Sequence, residues 1–138
     1  MTAANSRLKR VKTATIGAPD LTPVEDRYTT WLDYEVAERG IVPEALAASW
    51  GAAASAGRRY IMLGPNSGED VFIRAVEIDP VPNFKTLTSH GWAAIEITVS
   101  DVDVVMKKLE GAPFRVIGWP RALTGGSPLR AMQGVGPG

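Results

Sequence analysis

The chain has 138 residues, zero formal net charge and no cysteine. The balanced charge gives no indication of nucleic acid or an anionic membrane as a partner, and a chain without cysteine has no disulfides, thiolate metal ligands or thiol nucleophiles. Residues 1–12 are polar and basic, and no apolar run approaches the ~18 residues of a membrane span. We therefore expect a cytoplasmic protein.

The first half of the chain predicts a strand, a helix and then three more strands. After a loose tail over residues 1–8, alternating apolar side chains predict a strand over 11–16. Thr22, Pro23 and Glu25 form a capping box that predicts the start of the helix. The elements expected next are a short strand at 35–39, a helical turn or two at 43–50, a loop at 51–57, and two strands at 59–63 and 71–78.

The second half of the chain predicts the same order of elements with one strand fewer. Ser100 and Asp101 are placed to cap a helix. The elements expected are a linker at 84–90, a strand at 92–99, a helix at 102–109, and two strands at 114–119 and 129–135.

Two stretches about eighty residues apart carry the repeat. Residues 14–21 and 95–102 each run from an alternating strand through an aspartate into a helix, and a repeat of this length indicates two copies of one supersecondary unit. Since the second copy is one strand short, we expect either that the chain continues beyond residue 138 or that a partner supplies the strand. Otherwise 129–135 would remain an open edge, which proteins usually cover or charge.

This repeated pattern resembles the vicinal oxygen chelate superfamily, which includes glyoxalases, bleomycin-resistance proteins and extradiol dioxygenases. The segments that carry the resemblance are 15–21 with the following helix, 59–65 and 91–103. The resemblance implies an α+β fold in which two βαβββ units form one curved mixed sheet whose concave face holds the ligand. The implied units are a flexible tail at 1–8, a first unit at 9–83, a linker at 84–90 and an incomplete second unit at 91–138.

The resemblance carries no metal site with it. Metal-dependent members of the family place His, Gln or Glu on the first and last strands of each unit, because divalent ions take imidazole or carboxylate donors. The matching positions here are Thr13, Ala94 and Arg74, and none is a usual ligand. We therefore predict no cofactor. A divalent metal is the alternative if a shift of register brings Glu77 or Glu96 into these positions.

Glu77 and Glu96 are the candidates for acid–base catalysis. Two carboxyls whose pKa values are pushed apart can share a proton transfer. The alternative is that each is a strand residue facing water. His90 is the only histidine, and we interpret it as a linker residue rather than a ligand or base.

Arg74 is the sharpest candidate for ligand binding. A guanidinium on the concave face can bind a carboxylate or enolate through two hydrogen bonds. The alternative is a surface arginine paired with Glu77 or Asp70. The other predicted ligand contacts are Trp50 and Trp92, which can stack on a flat ligand, together with Thr13, Met132 and Gln133.

Three functions are compatible with these residues. The first is a glyoxalase-like enzyme, a lyase, isomerase or relative of the dioxygenases, that acts on a small carbonyl, enol or aromatic compound with or without a metal. The second is a non-catalytic protein of the bleomycin-resistance type that binds or sequesters a small molecule. The third is a sensor that pairs with another chain through its open edge. In each case we expect a small-molecule ligand and a homodimer, and neither nucleic acid nor a membrane as partner.

Overall fold

The computed structural model describes residues 10–88, 90–91 and 94–136. The strands are β1 (Thr13–Ala18), β2 (Tyr34–Ile41), β3 (Arg59–Pro65), β4 (Phe72–Glu77), β5 (Arg115–Ala122) and β6 (Arg130–Val135). The α-helices are α1 (Leu21–Asp26), α2 (Glu44–Ser49) and α3 (Val102–Lys108), with a π-helical turn at Arg27–Trp31 and a 3-10 turn at Ala53–Ser55. The 3-10 turn lies inside the segment 51–57 that was expected to be a loop.

The first unit is a four-stranded sheet in the order β1-β4-β3-β2. β1 runs parallel to β4, with Thr15 opposite Arg74, and β3 is antiparallel to both β4 and β2. The chain therefore makes a βαβββ unit whose first and last strands are neighbours. This arrangement confirms the predicted α+β class.

The two faces of this sheet carry different residues. Ile73 and Ala75 face α1, where they join a buried core with Leu21, Val24 and Leu63. The opposite side we call the Arg74 face, and α2 packs there through Ala47 against Val76 and Val42. Since side chains alternate along a strand and the registers align the strands, this face carries Thr13, Thr15, Tyr60, Met62, Phe72, Arg74 and Val76.

The start of α1 differs from the predicted capping box. The side chain of Asp20 accepts a hydrogen bond of 2.9 Å from the backbone N–H of Thr22, so Asp20 is the cap and the helix begins at Leu21. Thr22 lies inside the first turn. The carboxylate of Asp20 reaches the backbone N–H two residues further along the chain, as the side chains of N-cap residues do.

The second unit contains α3, β5 and β6 within the described residues. The carboxylate of Asp101 caps α3 by accepting a 2.8 Å hydrogen bond from the backbone N–H of Asp103. β5 and β6 form an antiparallel two-stranded sheet that is separate from the first one. The predicted single curved sheet is thus present as two sheets.

The strand expected at 92–99 is not formed over residues 94–99, while residues 92 and 93 lie outside the described part of the chain. Ile95 and Ile97 nevertheless pack against the core of the first unit, and Ala94, Glu96 and Thr98 are exposed. The alternation in the sequence therefore matches the partial burial of Ile95 and Ile97, although the segment is not a strand. A strand also needs a ladder partner, and none of the described strands pairs with this segment.

The helices that the structure describes are all too short or too polar to span a bilayer.

Candidate ligand-binding site

Arg74 lies close to two aromatic rings on the Arg74 face. Its guanidinium carbon is 5.2 Å from the centroid of the Trp50 ring and 5.8 Å from the centroid of the Tyr60 ring. Both distances fall within the range over which a cation is attracted to the face of an aromatic ring. The two rings therefore hold the guanidinium in place without neutralising its charge.

α2 places Trp50 over the sheet. The helix ends at Ser49, and Trp50 follows as its C-cap residue. Leu46 and Ala47 form one apolar cluster with Val76 of β4 and with Val42, which follows β2, and Trp50 joins the same cluster. The short apolar helix is thus the reason that the indole reaches Arg74.

Tyr60 forms the second wall through contacts with β2. Its hydroxyl donates a hydrogen bond to the carboxylate of Glu38. This hydrogen bond, with burial adding to it, raises the pKa of Tyr60. Gly40 is opposite Tyr60 in the register, and a Cβ atom at that position would lie 2.9 Å from atoms of the Tyr60 ring. Glycine at position 40 therefore lets the ring lie across β2.

Arg74 has no ionic partner among the residues that the structure describes. Its Nε atom is buried and has no hydrogen-bond partner there. The carboxylates that sequence analysis offered as alternatives bind elsewhere, since Glu77 accepts hydrogen bonds from Arg59 and Asp70 pairs with Lys12. A buried donor without an acceptor costs about 1–3 kcal/mol.

A groove of about 240 Å³ lies beside Trp50, and Arg74 is not among the residues that line it. Trp50 lines it together with Val76, Ile78 and Thr15, and Thr15 is the register partner of Arg74. Gly17 and Ser55 also contribute to the lining. The groove is thus mostly apolar, with an indole wall and a guanidinium next to it.

The predicted site residues fall in several places. Trp50 and Arg74 are in contact, and Thr13 is half-buried on the same face, two residues before Thr15. Glu77 lies on the α1 face, in register with Ala18. The remaining predicted residues are Glu96, exposed in the segment 94–99, Met132, half-buried on β6, Gln133, exposed on β6, and Trp92, outside the described residues.

Glu77 forms an ion pair with Arg59, and this pair makes the stability of the fold depend on pH. Hydrogen bonds of 2.6 Å from Nε and 2.9 Å from Nη2 of Arg59 hold the pKa of Glu77 below its ordinary value of 4.5. Because the folded-state pKa is lowered, the pair stabilises the fold above the ordinary pKa, and this contribution is lost as the pH falls through the folded-state pKa.

We expect Glu77→Gln to reduce stability at neutral pH and to flatten the loss of stability on acidification below about pH 4.5. Urea unfolding at a series of pH values measures both effects. Glu110 is exposed, and Glu110→Gln is the control that should leave the pH profile unchanged. A Glu77→Gln profile that runs parallel to that of the native protein would contradict the expectation.

Sequence analysis missed Tyr60 and Glu38. The available signal was Gly40, since a glycine inside a strand often marks the close approach of another group. Sequence analysis predicts that the short strand ends at residue 39, before this glycine. The structure instead continues β2 to Ile41 and uses the glycine to seat an aromatic ring.

The donor set on this face does not fit a divalent metal. A metal site needs several oxygen or nitrogen donors that converge, whereas this face presents a guanidinium, and Glu38 is bound to Tyr60. Within the described residues, no three histidine, aspartate or glutamate side chains cluster where they could hold an ion. Neither ligand binding at Trp50 nor proton transfer by Tyr60 and Glu38 requires a metal.

The fold defined by this βαβββ unit is that of the glyoxalase-like proteins. The chain is similar in structure to a glyoxalase family protein from Bacillus cereus, with a TM-score of 0.61, 15% identity, and coverage of 86% of this chain and 81% of that one. It is also similar to the trypanothione-dependent glyoxalase I of Leishmania major, with a TM-score of 0.53, 20% identity, and coverage of 79% and 70%.

The sequence matches no protein-family model and no curated protein. At these identities the structural likeness establishes the fold alone. The glyoxalase-like fold that the sequence resemblance implied is thereby confirmed.

Proposed function

We propose that this chain is a small-molecule-binding protein that holds a flat, apolar compound in the groove beside Trp50. The observation that carries this proposal is Trp50, which lines an apolar groove and contacts the guanidinium of Arg74. Stacking on the indole and removal of apolar surface from water both favour such a ligand. Binding of this kind needs no acid or base, as in the non-catalytic alternative of the sequence analysis.

Binding of simple aromatic probes tests this proposal. Benzamide and benzoate are titrated into ¹⁵N-labelled protein, and the indole N–H signal of Trp50 is followed by NMR. We expect millimolar dissociation constants, which correspond to about 4 kcal/mol. Trp50→Leu should weaken binding of both probes about tenfold, the equivalent of about 1.4 kcal/mol.

The matched control is Trp119→Leu. Trp119 is 68% exposed and lies on β5 in the second sheet, so its loss should leave probe affinity unchanged. The proposal fails if neither probe binds, or if both tryptophan variants weaken binding equally.

A glyoxalase-like enzyme is the second candidate, and the hydrogen bond between Tyr60 and Glu38 favours it. This pair can hold or release one proton beside a cation that would stabilise an enolate. In this role Glu38 and Tyr60 replace Glu77 and Glu96. Exchange of the benzylic protons of phenylpyruvate in D₂O tests it: an enzyme should exceed the buffer rate, and Tyr60→Phe should remove the excess.

A further inference from the structure

We propose that the ligand of this groove carries a single carboxylate attached to its flat apolar part, and that the site selects against both neutral and dianionic analogues. This inference rests on the proposed function and specifies the ligand class. The structural basis is the guanidinium of Arg74, which lies within cation–π distance of Trp50 and Tyr60 and whose Nε atom has no hydrogen-bond partner among the described residues.

The planar fork of the Arg74 guanidinium favours a carboxylate. The guanidinium carbon lies within cation–π distance of both the Trp50 and the Tyr60 rings, and its N–H donors lie in the plane of the group. A carboxylate fits this fork because its two oxygens match two parallel N–H donors. A neutral amide offers one acceptor oxygen and no charge, so it matches the fork less well.

No described carboxylate competes for this position. Glu77 is held by Arg59 and Asp70 by Lys12, while Glu38 accepts the hydrogen bond of Tyr60. Arg74 thus retains a full positive charge for a ligand. Arg74 is also half-buried, where a charge-assisted hydrogen bond is screened less than at the surface.

The charges around the groove favour one negative charge rather than two. Sites for phosphate groups commonly combine several cations or the amino end of a helix. Here the carboxyl end of α2 meets the groove at Trp50, and the helix dipole is negative at that end. Glu38 adds a second negative group beside Tyr60. Because the carboxyl end of α2 and Glu38 are both negative, the single positive charge of Arg74 can balance a ligand with one negative charge but not a ligand with two.

Three probes that share one ring test the inference: benzoate, benzamide and phenyl phosphate, compared by NMR titration at mildly alkaline pH. We expect benzoate to bind about tenfold more tightly than either of the others. In Arg74→Met the preference for benzoate over benzamide should vanish while benzamide affinity is retained. Arg74→Lys should keep part of the preference, because it keeps the charge but loses the fork.

The matched control is Arg121→Met, since Arg121 is exposed on β5 and should not affect selectivity. Equal affinity for benzoate and benzamide in the native protein overturns the inference and leaves the proposed function intact. Tightest binding of phenyl phosphate also overturns it. Failure of all three probes to bind overturns the proposed function itself. The relative affinities of the three probes for the native protein test the inference even if Arg74→Met does not fold.

Discussion

Replacement of Leu63 by alanine is expected to lower the free energy of unfolding by about 3 kcal/mol. Leu63 is fully buried on β3, with β2 on one side and β4 on the other. Its side chain joins the core between the sheet and α1, so truncation leaves a cavity in rigid surroundings that cannot collapse around it. A loss of this size is a large part of the ~5–15 kcal/mol that stabilises a typical domain.

Urea unfolding followed by circular dichroism measures this loss. Leu123→Ala is the matched control, because Leu123 is 61% exposed and its truncation should change stability by less than about 0.5 kcal/mol. The assignment of the core would be wrong if the two variants unfolded at similar urea concentrations.

Gly40→Ala is expected to displace the ring of Tyr60 and to destabilise the protein by about 1–3 kcal/mol. A Cβ atom at this position would lie 2.9 Å from two ring carbons and the hydroxyl oxygen of Tyr60, so the ring must rotate away from β2. The rotation breaks the hydrogen bond to Glu38 and removes one wall from Arg74. Affinity for aromatic probes should therefore fall together with stability.

A double-mutant cycle isolates this contact. In a Tyr60→Ala background the same Gly40→Ala change meets no ring, and it should be neutral or slightly stabilising because alanine restricts the unfolded chain. Gly125→Ala is the control, since nothing lies within 4 Å of a Cβ built there. Equal effects of Gly40→Ala in both backgrounds would show that the Tyr60 ring is not the cause.

Much of the fold could be predicted because its signals are local. The helix start near Asp20, the apolar alternation of β3 and β4, and the placement of Trp50 after a short helix all depend on neighbouring residues. The segment 92–99 shows the limit of such signals. Its alternation correctly indicates the partial burial of Ile95 and Ile97 but not the exposure of Val99, and pairing depends on a partner strand that the segment itself does not encode.

The site was only partly predictable for a different reason. Val36 and Glu38 are two residues apart, so regular alternation places them on one face of β2. An irregularity between them changes the register: Val36 is opposite Leu63, whereas Glu38 is opposite Met62. Val36 thus packs with the α1 core, while Glu38 reaches Tyr60 on the other face. A bulge of this kind arises from tertiary packing and has no clear local signature.

The bulge in β2 decides which face of the sheet receives the side chain of residue 38. A related chain of the same length without this bulge would place its equivalent of Glu38 opposite the equivalent of Ile61, on the side of the hydrophobic core, where a carboxylate is costly without a partner. Such a chain would be expected to carry an apolar side chain there and to leave its tyrosine without an acceptor. The presence of this bulge is therefore a more informative guide to the surroundings of the tyrosine among proteins of this fold than overall percentage identity.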